Sequence, residues 1–147
     1  MKMLLSIVWF LSSMAIAAAS PADEIRSGAG KCLDVHSPCQ GENGCNVQVW
    51  ACNGSRQQTW FLSDGEIVVG SGKCLDVHSD CQAENGCNAQ VWECNGSRQQ
   101  IWEVSGGEIR SGAGLYLDVH SPCQGDNGCN VQVWDRNGTR QQTWSVP

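Results

Sequence analysis

Three copies of one 42-residue unit make up most of this chain. The stretch Lys31–Trp60 returns as Lys73–Trp102 and, with a few changes, as Leu115–Trp144, without insertion or deletion. Each copy carries D-V-H, then G-C-N-x-Q-V-W, then N-G-[ST]-R-Q-Q-x-W. A fixed period in three copies predicts a repeat architecture, because one unit alone cannot bury its apolar face.

The repeated stretch also predicts how its cysteines pair. Suppose that it forms two antiparallel strands in which the numbers of opposed residues sum to 84. Chemically sensible partners then face each other four times in the first copy: Cys32 with Cys52, Cys39 with Cys45, Asp34 with Trp50, and His36 with Gln48. Opposed residues on antiparallel strands lie close enough for a disulfide. The same register predicts three further disulfides: Cys74–Cys94, Cys81–Cys87 and Cys123–Cys129.

The third copy tests this pairing, because both partners of one predicted disulfide are absent from it. Tyr116 stands where the first copy has Cys32, and Arg136 stands where it has Cys52. The inner pair of the third copy, Cys123 and Cys129, remains. The joint loss of one pair favours two separate disulfides in each complete copy.

The first 22 residues are predicted to be a secretory signal peptide with a short leader. Lys2 precedes an apolar run from Met3 to Ala19, and we expect cleavage after Ala19 or Ala22. A membrane anchor is the alternative, but the run is short, contains serines and lacks a basic flank. Residues 23–147 are then expected to form one secreted, extracellular domain of three repeats, at 23–64, 65–106 and 107–147.

The composition limits the partners that this domain can have. The chain has 15 acidic and 9 basic residues, and its formal net charge is −6. Because no basic cluster is present, we expect neither nucleic acid nor an anionic membrane as a partner. All 10 cysteines follow the predicted signal peptide, and an even number in an exported chain predicts an oxidised, disulfide-bonded framework.

Alternation of apolar and polar residues predicts an all-β domain with pseudo-threefold symmetry. A loop at 37–45 and an Asn-Gly turn at 53–54 separate the later strands of the first copy. The copy is predicted to contain four short strands, at Glu24–Ser27, Lys31–His36, Asn46–Cys52 and Gln58–Leu62. Three copies give twelve strands.

The same alternation predicts different places for the two tryptophans of each copy. Trp60 is flanked by apolar residues and is expected to fill the shared centre. Trp50 shares its strand face with Gln48 and lies opposite Asp34, so it is expected to point outward. An exposed indole presents a flat apolar face to a sugar ring, while an aspartate accepts hydroxyl hydrogen bonds strongly. The amides of Gln48, Gln57 and Gln58 are expected to complete the site.

These motifs resemble the ricin B-type lectins, which are also classed as a carbohydrate-binding module family. The resemblance rests on the C-L-D-V strand, the V-Q-V-W strand followed by C-N-G, and the closing Q-x-W, and it covers residues 23–147. It implies a β-trefoil: twelve strands, a six-stranded barrel closed by three hairpins, and up to one sugar site in each copy. It also implies disulfides at Cys32–Cys52 and Cys74–Cys94.

The resemblance also implies residue roles. The aspartate of the second strand holds two sugar hydroxyls, which gives Asp34, Asp76 and Asp118. The stacking aromatic ends the third strand, which gives Trp50, Trp92 and Trp134. A glutamine two residues earlier gives Gln48, Gln90 and Gln132. The residue before the Q-x-W glutamine is often asparagine in the family, but here it is Gln57, Gln99 and Gln141. The Q-x-W glutamines themselves are Gln58, Gln100 and Gln142. The histidines His36, His78 and His120 are expected at the rim.

Three other functions compete with carbohydrate binding. An enzyme is not expected, because glycoside hydrolysis needs two carboxylates across one bond and the nearest partner of Asp34 is Glu42, at a loop tip. A metal or other cofactor is not expected either, since export favours disulfides over a zinc site. A trefoil that binds proteins or inhibits proteases is the remaining alternative. The predicted partners are therefore glycans, and no oligomer is required.

The Asn-Gly-[ST] sequences have two interpretations. Asn53, Asn95 and Asn137 fit the acceptor pattern for N-glycosylation, and Asn-Gly alone also explains a tight turn.

Overall fold

The computed structural model describes residues 23–147, so the predicted signal peptide lies outside the described residues. Within residues 23–147 the regular structure consists of twelve strands and short 3₁₀ turns, and no helix there could span a membrane. The strands are β1 (Arg26–Ser27), β2 (Cys32–Val35), β3 (Cys45–Trp50), β4 (Trp60–Ser63), β5 (Glu66–Val69), β6 (Cys74–Val77), β7 (Cys87–Trp92), β8 (Trp102–Ser105), β9 (Glu108–Ser111), β10 (Tyr116–Val119), β11 (Cys129–Trp134) and β12 (Trp144–Ser145). The predicted β-trefoil with twelve strands is confirmed.

Six of the strands close into a barrel. Three antiparallel pairs join consecutive copies, β4 with β5, β8 with β9, and β12 with β1. Backbone hydrogen bonds complete the ring between these pairs: the amides of Trp60, Trp102 and Trp144 donate to the carbonyls of Asp23, Gly65 and Gly107 at 2.7–2.9 Å. These three tryptophans are almost fully buried, as predicted for Trp60. Each indole Nε1 donates to a carbonyl of its own copy at 3.0 Å, Trp60 to Leu33 for example, so burial leaves no indole N–H without an acceptor.

The other six strands form three hairpins, β2–β3, β6–β7 and β10–β11. The predicted register is wrong by two residues, because Cys32 lies opposite Trp50 and Asp34 opposite Gln48. The disulfide Cys32–Cys52 forms nevertheless, with 5.1 Å between the Cα atoms, since the chain leaves the strand after Trp50 and returns Cys52 toward Cys32. Side chains alternate with a period of two, so a shift of two residues leaves every side chain on its predicted face.

All five predicted disulfides are present in the described residues. Each complete copy has an outer disulfide that joins β2 or β6 to the residues after the next strand, and an inner disulfide that closes a short loop. The third copy has only the inner one. In place of its outer disulfide, Arg136 donates from Nε to both carboxylate oxygens of Glu108 at 3.0 Å.

All four strands of the first copy differ in their bounds from the prediction, and the first and fourth differ at their starts by two residues. The first strand is only Arg26–Ser27, and the fourth begins at Trp60 rather than at Gln58. Residues Arg56–Gln58 form a 3₁₀ turn instead, because the preceding Asn-Gly turn, with Gly54 at φ 71°, directs the chain inward beneath the hairpin. This turn brings Gln58 next to β2.

The third strands of the copies meet at the pseudo-threefold axis. Strands β3, β7 and β11 pair with one another in a triangle. One asparagine from each strand joins a closed ring of side-chain hydrogen bonds: Asn46 to Asn130 at 2.9 Å, Asn130 to Asn88 at 2.6 Å, and Asn88 to Asn46 at 2.7 Å. The ring places the three strands, and the tryptophans at their ends, equivalently around the axis.

Candidate functional site

Each copy contains a surface hollow between its hairpin and its 3₁₀ turns. The hollows of the first and third copies are each about 310 Å³, whereas that of the second copy is about 190 Å³. The hollow of the first copy is lined by Asp34, His36, Ser37, Pro38, Gln48, Trp50, Asn53 and Gln57. The hollow of the third copy has the equivalent lining: Asp118, His120, Ser121, Pro122, Gln132, Trp134, Asn137 and Gln141. The hollow of the second copy has a shorter one: Asp76, Ser79, Gln90, Trp92, Asn95 and Gln99.

One carboxylate lies in the wall of each hollow. Asp34 lines the hollow although it is only 3% exposed. Its Oδ1 accepts from Gln48 Nε2 at 2.9 Å and its Oδ2 accepts from Gln58 Nε2 at 2.8 Å. The other two copies repeat both bonds. Each oxygen keeps acceptor capacity for a ligand, because a carboxylate oxygen accepts more than one hydrogen bond.

Burial raises the pKa of the Asp34 carboxyl above its ordinary value. The hydrogen bonds from Gln48 and Gln58 and the nearby His36 partly oppose the shift, since each favours the charged form. Burial raises the pKa values of Asp76 and Asp118 for the same reason. The three hollows therefore hold equivalent carboxylates.

The Q-x-W glutamines do not contact the hollows, which corrects their prediction as sugar contacts. Gln58 is fully buried, Gln100 likewise, and Gln142 is 1% exposed. Gln58 Nε2 also donates to the carbonyl of Ala51 at 3.1 Å, and Gln58 Oε1 accepts from the Asn53 amide at 2.8 Å. All three glutamines hold the carboxylate from behind and position the Asn-Gly turn, so they are positioning residues.

The indole of each hollow is exposed, in agreement with the predicted outward face. Trp50 is 40% exposed, and Trp92 and Trp134 are each 39% exposed. In each copy the indole and the carboxylate line one hollow, with a glutamine beside them. This arrangement offers one apolar stacking face next to charged and neutral hydrogen-bonding groups.

The sequence prediction missed two kinds of lining residue. Asn53 was predicted as a turn residue or an N-glycosylation acceptor and not as a site residue, yet it lines the hollow while its Oδ1 accepts from the Ser55 amide at 3.0 Å. Ser37 and Pro38 belong to a 3₁₀ turn that begins after the predicted strand. The only sequence signal for the position of Asn53 is its spacing from Gln58. The hydrogen bond from the Asn53 backbone amide to Gln58 holds Asn53 at the hollow.

The histidines divide the hollows into two classes. His36 and His120 line their hollows, but His78 does not. His78 Nδ1 instead accepts a hydrogen bond from the Asp80 amide at 3.3 Å, at the start of a 3₁₀ turn. Pro38 and Pro122 occupy the equivalent positions in the other copies and have no N–H to donate.

Among residues 23–147, two groups of three side chains have the spacing of metal ligands: Glu24 with Cys32 and Cys52, and Glu66 with Cys74 and Cys94. In both groups the two sulfur atoms are joined in a disulfide, so neither sulfur is a thiolate ligand.

Comparison with known proteins agrees with this geometry. The profile of the ricin-type beta-trefoil lectin domain matches residues 22–144. ThreeFoil, a designed threefold-symmetric protein, is 28% identical with a TM-score of 0.74, over 84% of this chain and 96% of that one. The exo-β-1,3-galactanase 1,3Gal43A from Clostridium thermocellum is 27% identical with a TM-score of 0.75, and the match covers 88% of this chain but 30% of the galactanase.

A third similar structure is the β-trefoil lectin of the Vibrio vulnificus hemolysin/cytolysin with N-acetyl-D-lactosamine bound. It is 24% identical with a TM-score of 0.71, and the match covers 88% of this chain and 95% of that one. No curated protein sequence matches the chain.

Proposed function

Because the chain belongs to the ricin-type β-trefoil lectin family, we propose that residues 23–147 bind carbohydrates in the three hollows and act without catalysis. One observation carries the proposal: in every copy an exposed indole and a buried, doubly hydrogen-bonded carboxylate line one hollow. The indole stacks on the apolar face of a sugar ring. The carboxylate accepts two hydroxyl hydrogen bonds.

The composition of the hollows favours binding over hydrolysis. Each hollow is lined by a single carboxylate, from Asp34, Asp76 or Asp118. Glycoside hydrolysis uses two carboxyl groups on either side of the scissile bond. Sugar hydroxyls therefore meet an acceptor here, with no second carboxyl group to complete an acid–base pair.

Three shallow hollows on one rigid domain are suited to clustered glycans. A single hollow offers one stacking face and a few hydrogen bonds, so we expect its dissociation constant for a sugar to be about 1 mM. Simultaneous binding at two or three hollows raises the apparent affinity by a factor of about 100 or more. We further propose that the protein is secreted, as the five disulfides and the predicted signal peptide suggest.

A glycan array on the full chain tests the proposal. N-Acetyl-D-lactosamine is a suitable first probe, since the Vibrio vulnificus lectin was crystallised with it. We expect the wild-type protein to bind at least one class of clustered glycan, and W50A/W92A/W134A to bind none. F61A is the matched control, because Phe61 is 39% exposed but lies outside the three hollows.

Two results would refute the proposal. One is undiminished binding by the triple tryptophan variant with its thermal transition intact, which would place the glycan elsewhere. The other is an array without signal for the wild-type protein while a protein ligand binds. That outcome would favour the protein-binding or protease-inhibitor alternative.

A further inference from the structure

The loop closed by each inner disulfide contacts the hollow of the following copy. In the first copy the Gly44 amide donates to the carbonyl of Val91 at 2.8 Å, and Asn43 Oδ1 accepts from the amide of Glu93 at 2.8 Å. Val91 and Glu93 are the residues on either side of Trp92. The loop therefore holds the backbone of the second copy immediately before and after its exposed indole.

The indole side chain also packs against this loop. A methyl group placed on Gly44 would meet Trp92 Cζ3 at 3.6 Å, which is ordinary van der Waals contact. Gly44 has φ 86°, a backbone conformation that side chains other than glycine rarely adopt. The glycine thus allows a turn that approaches both the backbone beside the neighbouring tryptophan and its indole ring.

The same contacts recur around the axis. The Gly86 amide donates to Val133 and Asn85 Oδ1 accepts from Asp135, on either side of Trp134, all at 2.8 Å. In the third copy the Gly128 amide donates to the carbonyl of Val49 and Asn127 Oδ1 accepts from the amide of Ala51, on either side of Trp50. Copy one supports copy two, copy two supports copy three, and copy three supports copy one.

The loop itself is held rigidly. Cys39 and Cys45 are joined across it, the Glu42 amide donates to the Cys39 carbonyl at 2.8 Å, and the Cys45 amide donates to the Glu42 carbonyl at 3.3 Å. Ser37 and Pro38, which immediately precede the disulfide-closed loop, line the hollow of their own copy. The turn before the loop therefore lines the hollow of its own copy, while the loop itself contacts the following copy.

We propose that Asn43, Asn85 and Asn127, each with the glycine that follows it, are positioning residues for the stacking tryptophan of the following copy. This inference rests on the proposed function, because it assigns the groups that hold the indole of each sugar site. An indole fixed before binding loses less conformational freedom when a sugar stacks on it, and the site binds more tightly. A substitution that disrupts one loop therefore weakens binding by the hollow of the following copy and does not affect the indole of the same copy.

The test uses the full chain as W50A/W134A, in which Trp92 is the only remaining exposed indole of the three hollows. Immobilised N-acetyl-D-lactosamine is the probe. We expect N43A to weaken binding by about fivefold, the scale of one hydrogen bond. N43D keeps an acceptor oxygen for the Glu93 amide and is expected to retain most of the binding.

N85A in the same background is the matched control. Asn85 lies in the same copy as Trp92 but accepts from Asp135 and donates to its Oδ2 at 3.0 Å. The N85A variant removes at least as many hydrogen bonds as N43A, yet we expect N85A to leave binding by the Trp92 hollow unchanged. A loss of binding in N85A as large as that in N43A would overturn the proposal.

A second measurement needs no ligand. The ¹⁵N relaxation of the Trp92 indole N–H should report greater motion in N43A, and no change in N85A. If W50A/W134A binds neither this probe nor any other glycan of the array before any asparagine is changed, the proposed function of this hollow fails. The relaxation comparison then decides the positioning role alone, and equal indole motion in N43A and N85A would refute it.

Discussion

The hollow of the second copy differs from those of the first and third although the surrounding sequence is nearly the same. It is about 190 Å³ against about 310 Å³, and it lacks a histidine in its lining. The carboxylate, its two glutamine donors and the exposed indole are equivalent in all three. The difference lies in the rim, at the turn that follows the second strand of each copy.

A backbone N–H distinguishes the turn of the second copy and holds its histidine. Asp80 has one and donates it to His78, while Pro38 and Pro122 have none. The backbone angles of His78, φ −52° and ψ 128°, are close to those of His36, φ −54° and ψ 120°. The turns therefore share one conformation, and the available donor decides which way the histidine side chain is held. Near-identical repeats can thus share the carboxylate, its glutamine donors and the indole of the hollow, and still differ in the turn at its rim.

The largest expected effect comes from removing the two similar hollows together. W50A/W134A should lower the apparent affinity for a surface of clustered glycan by at least about 100-fold, because a single hollow remains and avidity is lost. W92A keeps the two larger hollows and should lose less than about tenfold. Surface plasmon resonance on an immobilised glycoprotein measures both. An equally large loss in W92A would mean that the second hollow is not the weaker one.

Acid should weaken all three hollows together. Burial raises the pKa values of Asp34, Asp76 and Asp118, so these groups take up a proton at a pH where an ordinary aspartate is still ionised. A neutral carboxyl accepts weaker hydrogen bonds than a carboxylate, and each hollow should lose about tenfold in affinity. Binding by the three single-hollow variants, each with two tryptophans replaced, should fall in the same pH range.

The sign of the linked stability effect provides the control. Because the folded-state pKa lies above the ordinary value, the folded chain binds the proton more readily than the unfolded chain does. Protonation of these three groups therefore adds stability as the pH falls through their pKa values. Across the same pH range, these three groups should cause no drop in the unfolding temperature. Loss of binding that follows the unfolding curve would contradict this assignment.

The fold was predictable, and so was the pairing of a carboxylate with an indole in each hollow, because both depend on repeated local signals. The period, the alternation along β2 and β3 and the joint absence of two cysteines in the third copy are all readable from the sequence. The register was not, because a disulfide at a strand end constrains two Cα atoms to 5.1 Å without requiring that they be directly opposed. The side chains still lie on their predicted faces only because the register error is an even number of residues.

The burial of Asp34 and Gln58 and the exposed position of Asn53 follow from the 3₁₀ turn Arg56–Gln58. A three-residue turn has no periodicity, and polar glutamines next to a tryptophan are also compatible with an exposed strand. The contacts between each loop and the following copy could not be predicted either. They depend on the distance between loops at the threefold axis, which no spacing within one repeat encodes.

A smaller effect is expected from exchanging the rim. Asp80→Pro removes the N–H that holds His78, and the equivalent turns of the other two copies already contain a proline at this position, Pro38 and Pro122. The freed side chain should join the second hollow and raise its affinity by about threefold, measured in the W50A/W134A background. Asp80→Ala is the matched control, because it removes the carboxylate but keeps the N–H. Equal gains in both variants would show that charge, and not the hydrogen bond, separates the two classes.

The smallest effect on binding is expected from the outer disulfide. The first hollow lies beside Cys32–Cys52 and the third beside Tyr116 and Arg136, yet both hollows are about 310 Å³, and Tyr116 lies opposite Trp134 just as Cys32 lies opposite Trp50. Y116C/R136C should therefore form a disulfide that stabilises the fold by about 3 kcal/mol. Binding by the third hollow, measured in W50A/W92A, should change by less than about twofold, which is under 1 kcal/mol.

Y116S/R136S removes the same two side chains without allowing a disulfide, and so separates the bond from the loss of the ion pair between Arg136 and Glu108. Arg136 is exposed and Glu108 is half-buried, so the pair lies at the surface and adds little to stability, and this variant should unfold at nearly the wild-type temperature. Altered binding in the bridged variant alone would mean that the outer disulfide shapes the hollow. The similarity of the first and third hollows would then need another cause, whereas unchanged binding in both variants would leave the rim turn as the feature that distinguishes the three sites.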